Sequence, residues 1–149
     1  MNLENPQALA EAYREMNPRL GADVLVMPMV RDGVELGFGM VNDPQFGPQV
    51  MVCAGGIYIE LLDDRKFVTA PFGEEEALRH IQSLAIHRIL EGSRGNSPCR
   101  VDLAARALSR FSKLAWVLRD EVAEIDLNPV VVTPSDCRIV DALVVPLQA

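Results

Sequence analysis

The sequence predicts an α+β domain, a largely antiparallel sheet packed on helices. Three observations predict it. Short β-rich segments are separated by Gly, Pro and Asn turns. Two longer stretches carry apolar residues at helical spacing. The chain closes on two strands joined by a four-residue turn. At 149 residues, the chain suits one domain, residues 1–149, with its own core.

The elements follow in order. Asn5 and Pro6 form an N-cap and N1 pair, so a short helix is expected from Pro6 to Met16. Leu9, Ala12, Tyr13 and Met16 lie along one face, and Pro18 and Gly21 end it. Val24 to Val30 and Val34 to Val41 read as a hairpin around Arg31-Asp32-Gly33. Asn42-Asp43-Pro44 breaks the second strand. Val50 to Cys53, Ile57 to Leu62 and Lys66 to Thr69 read as further strands, with Ala54-Gly55-Gly56 a permissive link. From Glu74 to Leu90, the residues Leu78, Ile81, Ala85 and Ile89 make an apolar stripe. Three glutamates at its start suit the positive end of the helix dipole. From Asp102, a plausible N-cap, to Leu118, a second stripe runs through Leu103, Ala107, Phe111, Leu114 and Leu118. The final strands are Glu124 to Val132 and Arg138 to Val145, turning at Thr133 to Asp136.

Charge and cysteines narrow the function classes. A net charge of −7 argues against a nucleic-acid surface, which needs a basic stripe. It leaves nucleotide binding open, because a metal offsets phosphate charge locally. Three cysteines without CxxC spacing fit reduced thiols in a reducing compartment. The start, MNLENPQALAEAYREM, has no basic n-region or apolar h-region, and no apolar run approaches a membrane span. The expectation is a cytoplasmic protein that binds neither nucleic acid nor membrane.

The closing hairpin carries the most chemistry. In EIDLNP, Asp126 and Asn128 are two apart, so both point to one face of a strand. A four-residue turn between Val132 and Cys137 sets Asn128 opposite Asp141, where facing Cβ atoms sit roughly 4.5–5.5 Å apart. Three oxygen-bearing side chains then share one patch, and hard oxygen ligands suit Mg²⁺. On spacing alone, a solvated sheet face carrying polar residues by chance fits slightly better. Pro129 requires an edge position or a bulge.

Longer strings add a resemblance. The run NDPQFGPQVMVCAGGIYIELLDD, from Asn42 to Asp64, resembles a segment of the ADP-forming acyl-CoA synthetases. Asp126-Leu127-Asn128-Pro129, Val140-Asp141-Ala142, and Arg94, Gly95 and Pro98 resemble three further motifs of that family, in the same order. The likeness covers about Asn2 to Val145 and extends more distantly to succinyl-CoA synthetase beta chains. It implies the carboxy-terminal half of an ATP-grasp domain, with a lid remnant at 1–23 and a nucleotide- and metal-binding subdomain at 24–149. The cofactors implied are Mg²⁺ and ATP or ADP. By matched position, Asn128 and Asp141 would be metal ligands, Asp126 a second acidic group at the triphosphate, and Gly55 and Gly56 a turn near the phosphates. Glycine there lets backbone N–H groups approach an anion. No residue of this chain is assigned a catalytic role.

Three departures qualify the resemblance. The family's preceding half, with its phosphate-binding lysine, has no counterpart here. Pro28 stands where a hinge glutamate is usual, and Val68 where an arginine is frequent. Two functions follow as expectations. One is the ATP/Mg²⁺-binding part of an acid–CoA ligase that interconverts acyl-CoA, ADP and phosphate with acid, CoA and ATP, with turnover needing the missing half. The other is a non-catalytic interaction or oligomerisation module. In either case an open cleft face, expected to include Met27, Met29, Phe38 and the Gly55-Gly56 turn, implies association; the alternative, about as well supported, is that these residues fill the domain's own core. The partner is a second copy, or a chain carrying the missing half and the CoA-binding domains. The remaining candidates read as bland. His80 and His87 are surface or boundary residues, Cys53 and Cys137 inert core thiols, Cys99 a loop thiol, Trp116 a packing residue, and Glu35 a strand glutamate of either reading.

Overall fold

A computed structural model describes residues 3–30, 33–56, 64–92 and 97–147. The chain divides into two compact units, residues 1–31 and 32–149. The first unit is built on α1, Pro6–Leu20. The Asn5 side chain accepts a hydrogen bond from the Ala8 N–H at 2.8 Å, and Pro6 fills the first turn. The helix runs a turn past the expected end. Pro18 sits inside its last turn, and Gly21 at φ 96° closes it, its N–H donating to Asn17 O. The Tyr13 hydroxyl donates to Ala22 O at 3.3 Å. Residues 23–30 then form no strand, which corrects the expected hairpin. Pro28 brings no N–H to a ladder there, and the expected partner strand is already paired along both edges.

The second unit is a six-stranded antiparallel sheet under a helical layer. In chain order its elements are β1 Val34–Asp43, β2 Gly47–Ala54, β3 Arg65–Thr69, α2 Glu74–Gln82, α3 His87–Leu90, α4 Val101–Val117, β4 Val122–Val132, β5 Cys137–Ile139 and β6 Leu143–Pro146. The strand order is β3-β2-β1-β4-β5, with β6 also on β4. The strand expected from Ile57 to Leu62, and Arg94 and Gly95 of the inter-helix link, lie outside the described residues. Alternation decides which side chains meet the helices. Leu36, Phe38 and Met40 of β1, Val50 and Val52 of β2, and Ile125 and Val130 of β4 are all buried on that side. Phe38, expected on an open cleft face, is instead fully buried and stacks on Phe111 at 6.4 Å. Met27 and Met29 are 49% and 53% exposed.

The helices differ from the expected stripes for local reasons. The single helix expected from Glu74 to Leu90 is two, because the chain tightens at Ser83. Its N–H donates to Arg79 O and His80 O, and the Leu84 N–H to Ile81 O. The Asp64 carboxylate accepts the Ala85 N–H. The turn buries Leu84, Ile86 and Leu90 and leaves Ala85 exposed. On α4 the buried face is Ala104, Ala105, Leu108, Ser109, Phe111, Ser112 and Ala115, whereas Leu114 is 48% exposed. Two serines belong to this face because they serve Phe72. The Ser109 hydroxyl donates to Phe72 O at 2.9 Å, and Ser112 Oγ accepts the Phe72 N–H at 3.1 Å. Asp102 is one residue inside α4 rather than its cap. It pairs with the Arg100 guanidinium at 2.7 and 2.6 Å.

The closing strands keep the expected turn and register. Val132 faces Cys137, and Val130 faces Ile139. Thr133 Oγ1 accepts the N–H groups of Ser135 and Asp136, and the Thr133 N–H donates to Asp136 O. The second strand is interrupted, however. The Val140 N–H still donates to Pro129 O at 3.0 Å, residues 141–142 leave the ladder, and β6 resumes in the same frame, with Asp126 facing Leu143 and Glu124 facing Val145.

Two predictions follow from this packing. Phe38→Ala should lower the unfolding free energy by about 3–5 kcal/mol, read from urea denaturation. The Arg100 hydrogen bonds hold the Asp102 carboxyl down to about 2. Because the folded value is depressed, the pairing is intact above the usual carboxylate range and is lost as the pH falls through about 2. NMR titration should show this low midpoint, and Arg100→Ala should return it to near 4.

Candidate functional site

The candidate site lies on the sheet face away from the helices. In β2, Val50 and Val52 turn inward, so Met51 and Cys53 turn outward. In β4, Ile125 and Leu127 turn inward, so Glu124, Asp126 and Asn128 turn outward. Between Met51 and Cys53 on one side and Asp126 and Asn128 on the other, β1 offers only Gly37 and Gly39, with Val41 beside Glu124. Gly39 pairs with Met51 on one side and Asp126 on the other. The result is an open pocket of about 280 Å³ with a sulfur wall of Met51 and Cys53 and a polar wall of Glu124, Asp126 and Asn128. Asp64 and Arg65, where β3 begins, complete its rim. The Asp64 bond to the Ala85 N–H ties that rim to the turn between α2 and α3.

A bulge sets the depth of the polar wall. Phe38 pairs with Leu127 and Leu36 with Val130, so Gly37 alone opposes Asn128 and Pro129. Pro129 thus occupies the bulge that its missing N–H requires in an interior strand. Gly37 has no room for more. A Cβ there would lie 2.9 Å from Cys53 Sγ and 3.9 Å from Asn128 Cγ. Cys53 is half-buried in this wall, rather than in the core as its apolar context suggested. Its Sγ lies 3.7 Å from Gly37 O. Burial raises its thiol pKa, against the opposing effects of that hydrogen bond and of Arg65. The alternation of β2 carried the signal that Cys53 and Met51 share a face opposite Val50 and Val52.

The expected site residues fall into two groups. Asp126 and Asn128 line the pocket together. Asp141 is exposed in the interruption between β5 and β6, its carboxylate accepting the Ala142 N–H at 2.8 Å. The unbroken frame on either side of it brings Asp141 level with Asn128. Among the described residues, no three His, Cys, Asp or Glu side chains cluster closely enough to hold a metal. Gly55 and Gly56 follow β2 and press on β1. The Gly55 N–H donates to Glu35 O at 2.8 Å, and a Cβ at Gly55 would lie 2.7 Å from the Glu35 carbonyl carbon. Gly56 adopts φ 57° beneath the Glu35 carboxylate.

The remaining candidates are structural. His80 and His87 are half-buried, 3.9 and 3.8 Å from Glu76 and Glu91. Burial pushes the Cys137 thiol up to about 11. The Arg119 guanidinium lies over the Trp116 ring at 4.6 Å. No helix among the described residues is long and apolar enough to cross a membrane.

Known proteins share this architecture. The ATP-grasp domain family matches residues 1–145. ADP-forming acetate–CoA ligase I from Archaeoglobus fulgidus is 46% identical over 118 residues, which are 79% of this chain and 17% of that protein. The beta subunit of ADP-forming acetate–CoA ligase I from Pyrococcus furiosus is 36% identical, over 95% of this chain and 64% of its own length. A structure of dinucleotide-forming acetyl-coenzyme A synthetase 1 from Candidatus Korarchaeum cryptofilum contains coenzyme A and Mg-AMPPCP. It superposes with a TM-score of 0.87 at 36% identity, over 99% of this chain and 67% of that one. The chain thus spans less than two thirds of the curated relatives it matches here. With the match running through nearly every residue, and an antiparallel sheet with helices shared with a solved acetyl-coenzyme A synthetase, this chain belongs to the ATP-grasp family.

Proposed function

We propose that the chain is the nucleotide- and Mg²⁺-binding part of an ADP-forming acyl-CoA synthetase, working in the cytoplasm with a partner that completes the site. The observation that carries this reading is the polar wall of the pocket, where Asp126 and Asn128 stand side by side on β4. The donor set fits the ion. Two carboxylates, Asp126 and Asp141, and the neutral Asn128 amide oxygen are hard ligands, few enough to leave room for waters and phosphate oxygens. When bound, Mg²⁺ would neutralise charge on the phosphate chain. Asn128, at the bulge with Pro129, lines the pocket, and Gly56 lies beneath the Glu35 carboxylate, so a phosphate there would need the metal's charge beside it. The Gly55 N–H is already engaged by Glu35. The overall reaction would be the reversible conversion of acyl-CoA, ADP and phosphate to acid, CoA and ATP.

The partner would be a second copy or a chain bearing the rest of the ATP-grasp domain and the CoA-binding domains. Beyond Met27 and Met29, the pocket face itself stays open. Phe67 pairs with Met51, and Leu143 with Asp126, so they flank the pocket on its own face, 58% and 59% exposed. A non-catalytic association module is the second reading, favoured by Pro28 and Val68.

Three experiments test this. Calorimetry should show Mg-ADP binding that EDTA abolishes and that Asp126→Ala or Asn128→Ala weakens at least tenfold, about 1.4 kcal/mol. Binding that is absent, or indifferent to these changes, leaves only the association reading. The chain alone should release no ADP from Mg-ATP, because it spans only part of the relatives it matches and turnover depends on a completed site. Light scattering should show a dimer, or a complex with a co-expressed partner; a strict monomer in both cases removes the association surface.

A further inference from the structure

The glycines of the second unit are not all required for the same reason. At Gly55 a side chain would strike the backbone of Glu35, and at Gly37 it would strike Cys53 Sγ at 2.9 Å. Gly39 is different. It is buried in the middle of β1 with no left-handed backbone, and a Cβ there would press only on the Met51 terminal methyl at 3.2 Å, with Met51 Cβ at 3.7 Å and Ile125 O at 3.9 Å in ordinary contact. That methyl is the far end of a flexible side chain, which a core would readily accommodate. Glycine in a strand interior weakens the strand, and the fold does not need it here. The neighbours of Gly39 supply the reason. Met51 and Asp126 are its partners across the two ladders, and they form opposite walls of the pocket.

We propose that Gly39 is a positioning residue for ligand binding. By lacking a side chain it lets the Met51 thioether fold back over β1, and this keeps the space in front of Asp126 open. The inference rests on the nucleotide reading above for its ligand, but not for its geometry. A Cβ at position 39 would press on the Met51 methyl, which must then give by a few tenths of an ångström, and the pocket is the open side on which it can do so. The two strand spacings separating the β2 and β4 walls amount to about 9.5 Å between backbones, so the thioether lying across β1 bounds the opening and a shift of it narrows the space before Asp126. Met51 is thus the side chain that sets how closely a phosphate-bound cation reaches Asp126.

The test uses the full chain, three variants and two readouts. Calorimetry with Mg-ADP compares wild type, Gly39→Ala, Met51→Ala and the double variant. Methyl spectra of ¹³C-methionine-labelled protein follow Met51 among the six methionines. Gly39→Ala should weaken Mg-ADP binding at least tenfold, and adding Met51→Ala should restore it to within about threefold of Met51→Ala alone, a coupling that independent sites would not show. The Met51 methyl signal should move in Gly39→Ala while that of buried Met40 stays. Unchanged binding in Gly39→Ala, or no recovery in the double variant, overturns the proposal. If the wild-type chain binds no Mg-ADP, the nucleotide reading fails by itself. The spectra still judge the geometry, and an unmoved Met51 methyl overturns it.

Discussion

Everything in the larger unit depends on β1 being paired along both edges while its two faces do opposite jobs. One face carries Leu36, Phe38 and Met40 into the core, each essentially without solvent contact. The other carries Gly37 and Gly39 at the pocket, between Glu35 and Val41, and contributes no side chain to the pocket floor. Each such glycine forgoes about 0.5–1 kcal/mol relative to alanine. Burial of a large side chain, at about 1.5–3 kcal/mol, offsets that on the facing side. The strand is thereby anchored from beneath and left bare above. The flanking strands supply the walls: sulfur from β2, oxygen from β4. Without the Phe38–Phe111 stack and its neighbours below, nothing would hold so sparse a surface flat.

Much of this was legible because strand alternation is a local property. The Thr133 to Asp136 turn and the register from Val132–Cys137 onward follow from the sequence, and of the edge or bulge that Pro129 requires, the structure has the bulge. Failures came where a distant partner decides. Val24 to Val30 has strand composition, but β1 takes β2 and β4 as its neighbours, and composition does not name partners. The break at Ser83 answers to the core position of Leu84 and Ile86. On α4 the buried face includes Ser109 and Ser112, which periodicity counts as polar. Their hydroxyls are satisfied by Phe72, thirty-seven and forty residues earlier.

The candidate site divides along the same line. Asp126 and Asn128 share a face because they are two residues apart in one strand, so one string of six letters is enough to pair them. Met51 and Cys53 join them only through β1, across two ladders. Alternation separates Cys53 from Val52, but it does not say which face the helices cover. An apolar neighbourhood therefore suggested a core thiol where the structure has a pocket wall. Phe38 went astray in the mirror-image way, assigned to an open face when its helix-side phase puts it under α4. Asp64 reaches the rim through the Ala85 amide, a link with no sequence signature.

The interruption at 141–142 has its own consequence. It is a spacer whose length is counted rather than shaped, since β5 and β6 meet β4 in one unbroken frame on either side of it. Adding or removing a single residue would invert β6, carrying Leu143 and Val145 to the helix side and Val144 to the pocket side. Changes by two would preserve the phase and merely slide it. Natural length variation at this point should therefore be even-numbered, a parity rule imposed by pleating on a stretch that itself belongs to no strand.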